Sequence, residues 1–206
     1  MLKKQFDKEL ETLRQLIESK ARPFEDDKKA QKERVERAAK DMDYFGRTYF
    51  PHYITSSSSA LHKYICERYP AMIMKSIDTG EGDREADAAP RGNAKSTWTT
   101  LVLLLWCAAY KYRTFPLIVS ETSSQAEDFI SFIKAELETN ERLKQDFPEL
   151  CGEGPIWRSD VVITRSGTKI TRYETRKPQA GLGNMRRSGK RRGGRIPVIR
   201  QIITIP

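Results

Sequence analysis

No apolar run in this chain comes near the roughly 18 residues needed to cross a bilayer. The longest, LVLLLWCAA from Leu101 to Ala109, is half that length, and no basic-then-apolar leader opens the sequence. Neither membrane insertion nor secretion is expected. Cysteine and histidine are scarce: Cys66, Cys107, Cys151, His52 and His62 lie scattered, with no C-x-x-C pair. A closed zinc site needs four clustered ligands, so none is expected, and the cysteines read as small apolar side chains in a reducing cytoplasm. Acids also run out, since no Asp or Glu follows Glu174.

What is present is 206 residues, 32% of them charged, with a mean hydropathy of −0.65. That suits one soluble domain with a core, plus a helical arm. The net charge of +9 is uneven. Trp157 to Pro206 hold thirteen Lys and Arg against Asp160 and Glu174, a net of +11, which leaves −2 on residues 1–156. Such a block suits a polyanionic partner through counterion release, or else a solvated tail.

Along the chain, Phe6, Leu10, Leu13 and Ile17 recur at helical spacing and predict an amphipathic helix, which packs on its own domain or on a partner. Arg22-Pro23 interrupts it, and Glu25 to Lys40 resumes as a solvated helix or linker. From Asp43 the texture turns aromatic (YFGRTYFPHYI), read as core with an allowance for base stacking, and a second helical pattern, ALHKYICERY, follows. TGEGD predicts a loop. A buried helix (WTTLVLLLWCAAYKY), a strand (FPLIVS) and a helix capped within Glu121 to Ser124, with Phe129, Phe132, Ile133 and Leu137 on one face, follow in the rhythm of a parallel α/β sheet. DVVITRSGTKITRY predicts a hairpin turning at Ser166-Gly167. The expected organisation is a charged helical arm over 1–42, a domain over 43–175 and a basic tail over 176–206.

The segment with most chemistry is Ala89-Pro90-Arg91-Gly92-Asn93-Ala94-Lys95-Ser96-Thr97. A phosphate-binding loop aims successive backbone N–H groups at phosphates, sends a Lys to the terminal phosphates and holds Mg²⁺ with a Ser or Thr hydroxyl. Lys95 and Ser96 stand in those places, whereas Ala89 and Ala94 replace the two glycines of the general pattern. On these residues alone, a nucleotide site and a Lys-Ser pair that merely opens a helix are both open. A left-handed conformation at Ala94 would cost about 1–2 kcal/mol.

Taken in order, APRGNAKST, LIVSETSSQAE, FISFIKAELETNERLKQDFPEL and Trp157, preceded by YFPHYIT and LHKYICE, resemble the ATPase domain of the large terminase subunit, the motor that packages DNA into tailed-bacteriophage capsids. The resemblance covers Tyr44 to Tyr173. It implies a partial P-loop NTPase fold, a parallel sheet flanked by helices, behind the N-terminal arm. It implies ATP and Mg²⁺ as cofactors, held by Pro90, Arg91, Gly92, Asn93, Ala94, Lys95, Ser96 and Thr97. Lys95 would contact the β- and γ-phosphates and Ser96 would ligate Mg²⁺. Arg91 would act as an arginine finger, or simply form a structural ion pair. Ser120 to Thr122 would lie where α/β sheets place ligands. The implied partners are double-stranded DNA, the terminase small subunit, the portal protein and, for a full-length form, a homo-oligomeric ring. The implied setting is the host cytoplasm, as a phage or prophage product.

The pattern is departed from in one respect that bears on activity. A motor of this kind needs an apolar strand ending in two acids, and neither that strand nor the nuclease domain is present. The resemblance is therefore to the N-terminal part of the ATPase domain, and the expectation it gives is a product truncated or frame-disrupted at its C-terminus, weakly active or inactive alone. The competing reading is a non-enzymatic nucleic-acid-binding or regulatory protein whose working part is RRSGKRRGGR, Arg186 to Arg195, contacting backbone phosphate.

Overall fold

The computed structural model describes residues 2–90, 92–120 and 122–174. The expected tail over 176–206, its RRSGKRRGGR run and Arg91 lie outside the described residues.

Helix α1 spans Leu2–Lys20. Its apolar stripe does find its own domain: Ile17 is fully buried beside Ala135, Leu10 and Leu13 pack nearby, and the Phe6 ring lies 5.9 Å from that of Phe132. Helix α2, Lys28–Lys40, is set by an Asp27 N-cap and is less solvated than its composition suggests. Arg34 reaches across to Asp146, and the Ala38 carbonyl accepts the Trp106 indole N–H at 2.9 Å. The aromatic stretch folds as α3, Met42–Tyr49, capped by Asp41. Phe45, Tyr49 and Phe50 are fully buried, so core is what these rings are. Helix α4, Ala60–Thr79, starts at a Ser59–His62 capping box and ends on Gly80 with φ +71°.

After the loop, Thr97–Val102 forms a π-helical segment that runs into α5, Leu103–Ala109. Every residue from Trp98 to Ala108 is buried, as so continuous an apolar run requires. Trp98 seats on α3 because Gly46 has no side chain: a Cβ there would lie 2.6 Å from the Trp98 ring. Then come β1 (Leu117–Ser120), α6 (Ser123–Thr139, capped by Thr122), α7 (Glu141–Asp146), β2 (Ile156–Trp157), β3 (Val161–Ile163) and β4 (Lys169–Glu174).

The sheet order is β1-β4-β3-β2. Only β1 and β4 are parallel, with Ile118 beside Arg172; β4–β3 and β3–β2 are antiparallel. The protein is thus mixed α/β, with a small mixed sheet in place of the parallel one expected. The cause is local: short turns join β2, β3 and β4, and such turns permit only antiparallel neighbours. The predicted hairpin forms, with Ile163 opposite Lys169 and the Gly167 N–H donating to the Thr164 carbonyl. Among the described residues no helix is long and apolar enough to cross a membrane.

Candidate nucleotide-binding loop

The segment from Gly80 to Pro90 carries too few apolar side chains to bury as a strand, and none forms. It is held instead by acids at alternate positions, Asp83, Glu85 and Asp87, which face α4. Arg68 Nε donates to Glu85 at 2.9 Å and the Tyr64 hydroxyl at 2.7 Å, while the Tyr69 hydroxyl donates to Asp87 at 2.6 Å. Lys75 and Arg68 flank Asp83 at 3.6 and 3.8 Å. The Tyr64 hydroxyl and then Arg68 hold the Glu85 carboxyl below its ordinary range. This tether carries the chain to the loop. Its sequence signal was the two-residue period of the acids, in phase with an extended backbone.

The loop itself is closed by short contacts. Asn93 Nδ2 donates to the Pro90 carbonyl at 3.1 Å. His62 Nδ1 accepts the Ser59 N–H, so the other ring nitrogen carries the proton, and Nε2–H donates to the Asn93 carbonyl at 2.8 Å. A trans peptide places C=O and N–H on opposite sides. Pinning the Asn93 carbonyl toward α4 therefore aims the Ala94 N–H the other way. Gly92 has φ +83° and Ala94 φ +48°. Left-handed residues alternating with right-handed ones curl successive N–H groups around a common concavity, the geometry that binds anions.

Lys95 follows, half-buried, and its ammonium reaches back 3.2 Å to the Asp87 carbonyl. A single neutral carbonyl is a weak partner for an ammonium, and a phosphate oxygen would displace it. Ser96 and Thr97 are half-buried at the helix start, and the Trp98 N–H closes the first turn on the Ala94 carbonyl. The loop thus brings together Pro90, Gly92, Asn93, Ala94, Lys95, Ser96 and Thr97. Arg91 belongs to the same stretch but lies outside the described residues.

A cavity of about 270 Å³ opens beside this turn, lined by Ser96, Thr97 and Thr100 on the loop helix and by Tyr53, Phe129 and Phe132 among others. The Thr100 hydroxyl is buried without a hydrogen-bond partner. Among the described residues no group of three or more His, Cys, Asp or Glu could hold a metal ion. What the loop offers Mg²⁺ is the hard hydroxyl oxygen of Ser96, which suits an ion that keeps most of its waters and takes its other ligands from phosphate. Comparison of the chain with protein-family models, curated proteins and solved structures gave no match.

Proposed function

We propose that this chain is the ATP-binding part of a DNA-packaging motor of the terminase large-subunit type, competent to bind Mg-ATP and deficient in hydrolysis. The observation that carries the reading is Ala94 at φ +48° immediately before Lys95. An alanine avoids that conformation unless the surroundings enforce it. Here the His62 latch on Asn93 and the Asn93 bond to Pro90 do so. A Lys and Ser that merely opened a helix would need none of this.

In binding, the N–H groups of the loop would cradle the phosphates, and the Lys95 ammonium would leave the Asp87 carbonyl for the β- and γ-phosphate oxygens. Ser96 would ligate Mg²⁺, which when bound neutralises charge on the terminal phosphates. Hydrolysis asks for more: a carboxylate to orient the attacking water, and no strand of the described chain ends in the acid pair that supplies it. Double-stranded DNA, the small subunit, the portal and a ring assembly belong to the proposal through the resemblance alone.

The test is titration calorimetry with Mg-ATP on the wild type and Lys95→Ala. Saturable heat is expected for the wild type and none for the variant, with unchanged melting temperatures. Identical heats would remove the site assignment. Steady-state phosphate release should match the Lys95→Ala control, and release that depends on Lys95 would overturn the deficiency.

A further inference from the structure

We infer that the outer edge of β1 is the seat of one more strand, and that residues 196–206 of this chain, IPVIRQIITIP, fill it. The inference stands apart from the phosphate-loop reading and uses none of the loop's residues.

The first observation is a set of unused backbone groups. Leu117 lies opposite Thr171, whose N–H donates to the Pro116 carbonyl at 3.2 Å. In a parallel ladder Thr171 bonds to the two residues that flank its opposite number, so Pro116 and Ile118 serve β4. The N–H and C=O groups of Leu117 and Val119 therefore point the other way, past the edge of the sheet. Among the described residues none of these outward groups has a hydrogen-bond partner. The far edge of the sheet differs: β2 is two residues long, and its Trp157 carbonyl accepts from Lys134 Nζ at 2.9 Å. An apolar edge with its ladder groups unused is a template for another strand.

The second observation is the wall beside that edge. A cleft of about 30 Å³ runs between α5 and β1, lined by Leu103, Leu104 and Cys107 on one side and by Pro116, Leu117 and Ile118 on the other. Neighbouring strand residues face opposite sides of a sheet, so a cleft that reaches Leu117 and Ile118 alike lies along the edge. At that size it is a seam rather than a ligand pocket, and α5 would flank an incoming strand with aliphatic side chains.

The third observation is the segment itself. Six of the eight residues from Val198 to Ile205 are β-branched, and Pro197 and Pro206 bound them, at the ends where a strand tolerates proline. Strand β4 ends at Glu174, opposite Ser120 at the end of β1. From there the segment has to pass two strand spacings, about 10 Å, and the 21 residues 175–195 reach several times as far. The direct route brings it in antiparallel to β1, an arrangement common at the edge of an otherwise parallel pair. The new strand would itself become the edge, where a charge such as Arg200 blunts further pairing.

Residue-resolved amide hydrogen exchange on the full chain tests this. The Leu117 and Val119 N–H groups should exchange at least about tenfold more slowly in the full chain than after deletion of residues 196–206, while Ile118, which faces β4, stays protected in both. The double variant Ile202→Pro/Ile203→Pro keeps the length of the chain and removes an N–H from the segment whichever way it faces, so it should give the same loss. It decides the matter should the shortened chain not fold, as judged by Ile118. Fast exchange at Leu117 and Val119 in the full chain, or protection that survives these changes, would overturn the docking. Protection that rises with protein concentration would overturn it too, by giving the edge to a second copy of the chain.

Discussion

Two carboxylates in this protein have the same kinds of partner, one arginine and one tyrosine each, and different surroundings. Asp146 accepts from Arg34 Nε and Nη2 at 2.7 and 2.8 Å and from the Tyr49 hydroxyl at 2.6 Å. Glu85 accepts from Arg68 Nε and the Tyr64 hydroxyl at nearly the same lengths. Yet the Asp146 side chain is 0% exposed and Arg34 is 7%, while Glu85 is 18% and Arg68 41% exposed. The first clamp ties α2 to α7 under a cluster of rings in which Phe45, Tyr49, Tyr110 and Phe147 meet edge to face or tilted. The second ties an extended, largely polar segment to the surface of α4. Burial, not bonding pattern, decides what each is worth: the inner clamp cannot be broken without stranding a charge, while the outer one exchanges with water. One half of the molecule is built to stay, and the half that bears the loop is built to be adjustable.

The sharpest way to break this contrast is to remove the inner carboxylate. Asp146→Ala leaves the Arg34 guanidinium with Asp26 alone and the Tyr49 hydroxyl unpaired in the core. A loss of about 3–5 kcal/mol is expected in urea unfolding, enough to unfold a marginal domain. A loss below 1 kcal/mol would mean that water reaches the clamp and that the two sites are alike after all.

Next in size is a dependence on alkaline pH carried by buried thiols. Burial pushes the Cys107 and Cys151 thiols up to about 12 from an ordinary value near 9. An acid whose folded pKa is raised holds its proton while the unfolded chain loses it, so its contribution is full below pH 9 and is lost as pH rises toward 12. Each thiol should remove up to about 1.4 kcal/mol per pH unit in that window. Unfolding midpoints between pH 8 and 11 should fall less steeply in the Cys107→Ala/Cys151→Ala double variant, and neither thiol should react with a thiol reagent in the native state.

The same division explains what could be read before the structure. The α1 stripe, the buried LVLLLWCAA helix, the cap of α6 and the β3–β4 hairpin were legible because each signal is local: a period of 3.6, an apolar run, a capping hydroxyl, a Ser-Gly turn. Lys95 and Ser96 were legible for the same reason. Helix α3 was not, because YFGRTYF is rich in aromatic residues that favour strands, and its helicity comes from the Asp41 cap and from burial. The Arg34–Asp146 clamp and the latch of His62 on Asn93 depend on partners 31 or more residues away, which no local pattern encodes. The acid tether carries its period of two in carboxylates rather than in apolar side chains, so the segment shows only the loop signal of TGEGD at its start.

For the outer clamp the expected effect is on binding rather than on folding. Glu85→Ala should leave the unfolding midpoint unchanged, since the Arg68 and Tyr64 heads simply return to water. The segment that presents Lys95 to its ligand would lose one of its anchors, and Mg-ATP affinity should drop about threefold to tenfold through the added cost of ordering it. An equal drop in stability would place this segment in the packed half of the molecule.

The smallest effect expected tests the loop at its one enforced residue. At φ +48° Ala94 sits where glycine carries no penalty, so Ala94→Gly relieves about 1–2 kcal/mol of backbone strain in the folded protein. It also gives the unfolded chain more freedom, worth about 0.4–1 kcal/mol in the opposite sense. The difference should leave a gain of up to about 1.6 kcal/mol in thermal unfolding. Lys111, at φ +56° in the turn after α5, provides the control: Lys111→Gly should give a similar gain in stability and no change in nucleotide affinity. Ala94→Gly should change affinity as well, because the residue it loosens aims the N–H next to Lys95. If Ala94→Gly destabilises the protein while Lys111→Gly stabilises it, the strain at Ala94 is already relieved by its surroundings, and the conformation before Lys95 no longer distinguishes a phosphate loop from an ordinary helix start.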